Sequence, residues 1–139
     1  MRIVYIEDND ANRTLVRKVL EVDADIEVTG ITSAEDGLAV VRRDTPDVLL
    51  VDIDLPGMSG LDMVRTLRKE GRFAALPIIA ISASVMKDER HRALDAGCDA
   101  FLEKPFDIQR LRDLVAEVGT ARSAAPVAEP APAATDTDA

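Results

Sequence analysis

At 139 residues the chain has room for one domain with a real core and a terminal extension. A net charge of −9 leaves no basic surface to track a phosphate backbone, which argues against direct nucleic-acid binding. A single cysteine, Cys98, excludes an intrachain disulfide or thiolate metal cluster, and no stretch approaches the roughly 18 apolar residues of a membrane span. Acids arrive already at Glu7-Asp8, so no long apolar signal region precedes them, and a cytoplasmic protein with no membrane insertion is expected.

Apolar runs and helical patterns then alternate along the chain. Strands are predicted near 2–6, 26–30, 47–52, 77–82 and 98–102, with helices near 10–23, 34–44, 60–70, 87–96 and 107–118. In the first helix Leu15, Val16, Val19 and Leu20 form one face, with Arg13, Arg17 and Lys18 turned outward. Ser33 is a candidate N-cap for the second helix, and Pro56-Gly57 with Gly60 reads as turn and helix-start chemistry before the third. The fourth helix is charged, with His91 on its solvated face and Ala93 and Leu94 as its main apolar residues. Cys98 reads as a small buried hydrophobe in the last strand. The last helix carries Ile108, Leu111, Leu114, Val115 and Val118 on one face, with Asp107 as its N-cap. This alternation is that of an α/β fold, a doubly wound five-stranded parallel sheet with five helices on its two faces. Past Val118, residues 119–139 are rich in Ala and Pro and are expected to form a disordered tail to a domain spanning 1–118.

Four strand tips carry chemistry. In open α/β sheets, ligands bind in the crevice outside the carboxyl ends of the strands. Glu7-Asp8 follow the first strand, Asp52 ends the third, Ser82 ends the fourth, and Lys104-Pro105 follow the fifth. Any one of these residues alone is ordinary loop, cap or turn chemistry; together they make a phosphoryl site. Asp52 supplies a nucleophilic carboxylate, Glu7 and Asp8 a hard-oxygen seat for Mg2+ (or Mn2+), and Lys104 a cation for the phosphoryl oxygens. Ser82 offers a hydroxyl donor, and Phe101 is an aromatic able to turn in or out as that hydroxyl moves.

Ile6-Glu7-Asp8-Asn9, Val51 to Gly60, Ile81-Ser82-Ala83 and Lys104-Pro105-Phe106 together resemble the receiver domain of two-component response regulators. The Glu-Asp-Asn opening followed by Asn12 is similar to receivers found in phosphorelays and hybrid kinases, and with no output domain expected the chain resembles stand-alone receivers of the polar-differentiation kind. The resemblance implies sheet order 2-1-3-4-5, the flavodoxin-like arrangement. It also implies phosphorylation of Asp52 by a histidine kinase or histidine phosphotransfer protein. Metal would be held by Asp8, Asp52 and the backbone carbonyl of Asp54, with Glu7 assisting mainly through water. Ser82 and Phe101 would be the switch pair, Lys104 would bind phosphate, and a cis peptide would join Lys104 to Pro105.

Such a protein is a signalling receiver and no enzyme in the ordinary sense. It catalyses only its own phosphoryl transfer and slow autodephosphorylation. A downstream protein partner is expected on the face of the fourth helix, fifth strand and fifth helix. Whether the phosphoryl group is passed onward or alters partner binding stays open. A haloacid-dehalogenase-type phosphatase is the enzymatic rival, suggested by Asp52-Ile53-Asp54, but that family needs a longer chain and its motif near the N-terminus. A receiver that works without phosphate is a second rival, and it would lack Asp8, Asp52 or Lys104.

Overall fold

The computed structural model describes residues 1–55, 57–83, 87–104 and 107–128, with Lys87 and residues 120–128 described by backbone alone. Five parallel strands, β1 (Arg2–Ile6), β2 (Glu27–Ile31), β3 (Val48–Asp52), β4 (Ile78–Ser82) and β5 (Ala100–Glu103), lie in the order β2-β1-β3-β4-β5. They alternate with α1 (Asp10–Leu20), α2 (Ala34–Arg43), α3 (Gly60–Lys69), α4 (Lys87–Ala96) and α5 (Ile108–Ala128). The doubly wound architecture and its strand order are those expected.

Side chains on a strand alternate between the two faces of the sheet. Val4 and Ile6, Leu49 and Val51, and Ile78 and Ala80 pack with residues of α2, α3 and α4. Ile3 and Tyr5, Val48 and Leu50, and Ile79 and Ile81 pack with Val16 and Leu20 of α1 and Leu111, Leu114 and Val115 of α5. Both faces are covered, so β3 and β4 are continuous apolar runs, as in buried parallel sheets.

Caps set the helix starts. The side chain of Asn9 accepts from Asn12 N at 2.9 Å, and Ser33 accepts from Asp36 N at 3.2 Å. Asp107 accepts from Gln109 N at 2.7 Å, so the Ser33 and Asp107 caps are as expected. Gly60 opens α3 so close to β3 that a Cβ there would lie 2.6 Å from Asp52 O and 2.9 Å from Ile53 Cα. Gly57 holds φ +73, the turn geometry read from Pro56-Gly57, while Pro56 itself is outside the described residues.

Several local expectations change. α1 ends at Leu20, because the chain turns there: Asp23 N donates to Leu20 O and Ile26 N to Asp23 O. Leu15 is 47% exposed, since the buried stripe of α1 runs through Val16 and Leu20. Arg13 turns toward the sheet and not outward; its guanidinium donates to Glu7 O at 2.7 Å and to Asp10 Oδ1 at 2.9 Å. Ile108 is likewise exposed at the first turn of α5. Cys98 is buried but sits before β5, which begins only at Ala100. Burial pushes its thiol up to about 12, so it stays protonated and inert.

The last helix is longer than the 107–118 expected for it. α5 runs on past Val118 to Ala128, and Gly119 is packed against Met1. The alanines that mark this segment as compositionally biased are also the strongest helix formers, so the helix continues without an amphipathic face. Residues 129–139 lie outside the described residues.

One side chain organises the end of the sheet away from the tips. Arg68, near the C-terminus of α3, donates to Gly97 O at 2.9 and 2.7 Å, Phe73 O at 2.7 Å and Leu76 O at 2.8 Å. It thereby joins α3, the 3-10 turn Gly71–Phe73 and the link between α4 and β5. Gly97 holds φ +114 there, a conformation that suits a residue without a Cβ.

Candidate functional site

Register sets the site. Ile6 pairs with Val51, so Glu7 comes to lie beside Asp52 at the carboxyl edge. Asp52 pairs with Ile81 and Ser82 with Glu103, which puts Ser82 and Lys104 one step beyond. The pleat then sorts the groups. Glu7, Asp52 and Lys104 continue the α1/α5 face begun by Tyr5, Leu50 and Leu102. Ser82 continues the opposite face, where Phe101 lies.

The charged groups meet. Lys104 Nζ donates to Asp52 Oδ2 at 2.7 Å and to Glu7 Oε1 at 2.8 Å. Asp52 Oδ1 accepts from Asp54 N at 2.8 Å. Glu7 is fully buried, yet its Oε1 also receives Asn12 Nδ2 at 2.9 Å and the Tyr5 hydroxyl at 3.1 Å. These donors replace the water that the carboxylate has lost.

The two acids divide the charge unequally. Burial raises Asp52 to about 6, and the neighbouring Glu7 carboxylate adds to that against the pull of Lys104 and Asp54 N. Burial also opposes the charge on Glu7, but hydrogen bonds from Asp52, Lys104 and Asn12 outweigh it and hold Glu7 well below the usual carboxylate range. The pair therefore shares a proton under mildly acidic conditions, with Glu7 as the resident anion. The ammonium of Lys104 is stabilised in its charged form, because the two carboxylates outweigh the burial that opposes it.

Glu7, Asp8 and Asp52 present carboxylate oxygens all within 4.8 Å of one another, with Asp8 exposed and the other two buried. An all-oxygen set with one open side suits a hard divalent cation that keeps several of its waters. The donor chemistry thus fits magnesium.

Glu7, Asp8, Asp52, Asp54, Ser82 and Lys104 all stand at this edge, whereas Phe101 lies within β5 opposite Ala80. Pro105, and with it the cis peptide, lies outside the described residues, as does Phe106. Phe101 is only 9% exposed, and the Arg90 guanidinium lies over its ring, 5.6 Å from the centroid. The aromatic is therefore already turned inward.

Three contributions were missed from sequence. The Tyr5 hydroxyl could have been anticipated, because a residue two before Glu7 shares its face. The Arg13 clamp could not, since its position on α1 reads as solvent-facing. Asp54 enters the expectations only through its backbone carbonyl, but its carboxylate also reaches β4: Oδ2 accepts from Ser82 Oγ at 3.1 Å and Ala83 N at 3.0 Å.

Comparison with known proteins decides the family: residues 3–116 match the response regulator receiver domain. The chain belongs to that family. The receiver is 31% identical over 113 residues to a polar-differentiation response regulator DivK of Brucella ovis, covering 81% of this chain and 91% of that one. Among solved structures, a response regulator of Chloroflexus aurantiacus superposes with a TM-score of 0.81 at 27% identity, over 86% of this receiver and 97% of that chain. The signal receiver domain of a Luxo repressor protein from Vibrio parahaemolyticus shares the fold, with a TM-score of 0.85 at 22% identity, covering 94% and 98%. The chain thus belongs to a family of signalling proteins. No helix among the described residues is long and apolar enough to cross a membrane.

Proposed function

We propose that this receiver accepts a phosphoryl group on Asp52 from a histidine kinase or a histidine phosphotransfer protein. The observation that carries the reading is the pairing of Asp52 with Lys104 at 2.7 Å, inside a carboxylate cluster at the edge where parallel sheets bind ligands. In the transfer, an Asp52 oxygen bonds to phosphorus as the phosphorus–nitrogen bond of the donor breaks, and the departing imidazole takes up a proton. Lys104 follows the growing negative charge of the phosphoryl oxygens, and Ser82 Oγ and Ala83 N are the donors that receive another. Asp8 and Asp52, with the Asp54 carbonyl and with Glu7 acting through water, are the residues for a divalent ion. Such an ion would neutralise phosphoryl oxygens and relieve the carboxylate crowding.

Slow loss of the phosphoryl group to water returns the resting state, and the protein turns over no other substrate. Its setting is the cytoplasm, where kinase domains and ATP reside. The functional unit spans residues 1–118, and residues 119–139 take no part in the transfer. Similarity to the polar-differentiation regulator supports work as a response regulator, and the Glu7-Asp8-Asn9 opening with Asn12 favours a phosphorelay. For the downstream partner we favour the groove of about 340 Å³ between α4, β5 and α5, where Arg90, Leu94, Phe101, Leu114 and Val118 line the wall.

The test is labelling by a small phosphodonor and by purified kinases, with and without chelator. Labelling should require the metal and vanish in Asp52→Asn. Undiminished labelling of that variant would remove Asp52 from the role. Onward transfer to a second histidine protein would mark a shuttle, whereas a change in partner affinity alone would mark an adaptor.

A further inference from the structure

The Asp54 carboxylate has no part in the chemistry above, and its position is unusual for an exposed acid. Water is available to it, yet Oδ2 turns back across the crevice to the tip of β4. There it takes Ser82 Oγ at 3.1 Å and Ala83 N at 3.0 Å on one oxygen. These are the two donors that the proposed function assigns to a phosphoryl oxygen, so the inference rests on that reading.

We infer that Asp54 is a positioning residue for phosphoryl acceptance: its carboxylate stands in for a phosphoryl oxygen and draws Ser82 and Ala83 into the crevice before phosphate arrives. The rest of the switch agrees. Ser82 is fully buried, and Phe101, on the same face of the sheet, is already packed inward beneath Arg90. The resting receiver thus holds the inward arrangement without a phosphoryl group. Ordering of the β4 tip is complete beforehand, so the incoming group need only replace one anion by another on donors already aimed. Phosphate on Asp52 brings more negative charge beside Asp54, and repulsion expels that carboxylate to solvent. What phosphorylation moves in this chain is then the Asp54 side chain more than Ser82 and Ala83.

Amide hydrogen exchange at Ala83 reads this directly, with beryllium fluoride as the phosphoryl analogue. In the resting wild type the Ala83 amide should be protected, and the analogue should change its rate little. In Asp54→Ala the resting rate should rise about tenfold or more, the loss of a hydrogen bond to a charged acceptor, and the analogue should restore protection. Asp54→Asn, which keeps a carbonyl acceptor, should fall between. Restoration is the informative arm, because a variant that had merely loosened the loop would stay unprotected with the analogue bound. An unprotected Ala83 in resting wild type, or equal protection in Asp54→Ala, would overturn the inference. Failure of the Asp52 reading is seen separately: the analogue would then leave the Asp52 and Lys104 amide resonances of wild type unmoved.

Discussion

Replacing Lys104 by methionine keeps most of the stem and removes the charge that faces two buried carboxylates. Breaking a buried pair by deleting one partner costs about 3–5 kcal/mol. Lys104 is 20% exposed, so water reaches its ammonium and lowers the cost to roughly 2–3 kcal/mol at neutral pH. For a domain of this size that is a fall of roughly 6–12 °C in Tm. The loss should depend on pH. Because the folded value of Asp52 is raised to about 6, carrying its charge costs native stability above that pH, and this cost disappears as pH falls toward the ordinary carboxylate range. Glu7 is shifted the other way, so the stability it contributes is lost only in much stronger acid. Between pH 7 and pH 5, then, Asp52 takes up a proton while Glu7 keeps its charge and its Tyr5 and Asn12 donors. Lys104→Met should cost only about 1 kcal/mol at the lower pH, one anion in place of two. Thermal denaturation followed by circular dichroism, metal-free and at both pH values, gives the comparison. An equal loss at the two would refute the shared-proton description of the pair.

Magnesium binding should release protons below pH 6 and almost none at pH 8, because the ion needs Asp52 ionised; calorimetric titration in buffers of different ionisation enthalpy counts them, and the same number at both would exclude a raised Asp52. Arg68→Ala should cost about 3 kcal/mol or more, since the carbonyls of Gly97 and Leu76 lose the guanidinium and Phe73 O is left with Leu76 N alone, and urea denaturation with a midpoint shifted only slightly would contradict that. Gly60→Ala should destabilise by about 1–3 kcal/mol through overpacking and also slow phosphorylation, because the new Cβ meets the backbone of Asp52 itself; a stability loss with an unchanged labelling rate would show that the β3 tip tolerates the shift.

Strands were legible because Ile3 to Ile6, Val48 to Val51 and Ile78 to Ile81 are runs too apolar for anything but burial on both sides. The tips were legible because chemistry-bearing residues follow those runs at once. What sequence could not reveal has a common physical form. Arg13 sits at a helix position that reads as solvent-facing and Arg68 follows the buried Val64 by one turn, and in both the length of the side chain lets the guanidinium reach carbonyls outside its own helix, for Arg68 as far as Gly97. Leu15 fails for the converse reason: membership of an apolar stripe does not say where the stripe's edge meets water. The extension of α5 pits composition against helix propensity, and the alanines serve both descriptions.

The hydrogen bond from Tyr5 to Glu7 gives the receiver a built-in optical probe. The chain has one tyrosine and no tryptophan, so its phenol emission and most of its near-ultraviolet absorbance arise from one ring, whose oxygen lies 3.1 Å from a carboxylate of the candidate metal cluster. A carboxylate acceptor quenches an excited phenol, and any event that redistributes charge on Glu7 changes that quenching. Metal binding, proton uptake and phosphoryl transfer can therefore each be followed in the unlabelled wild-type protein, with Tyr5→Phe as the dark control.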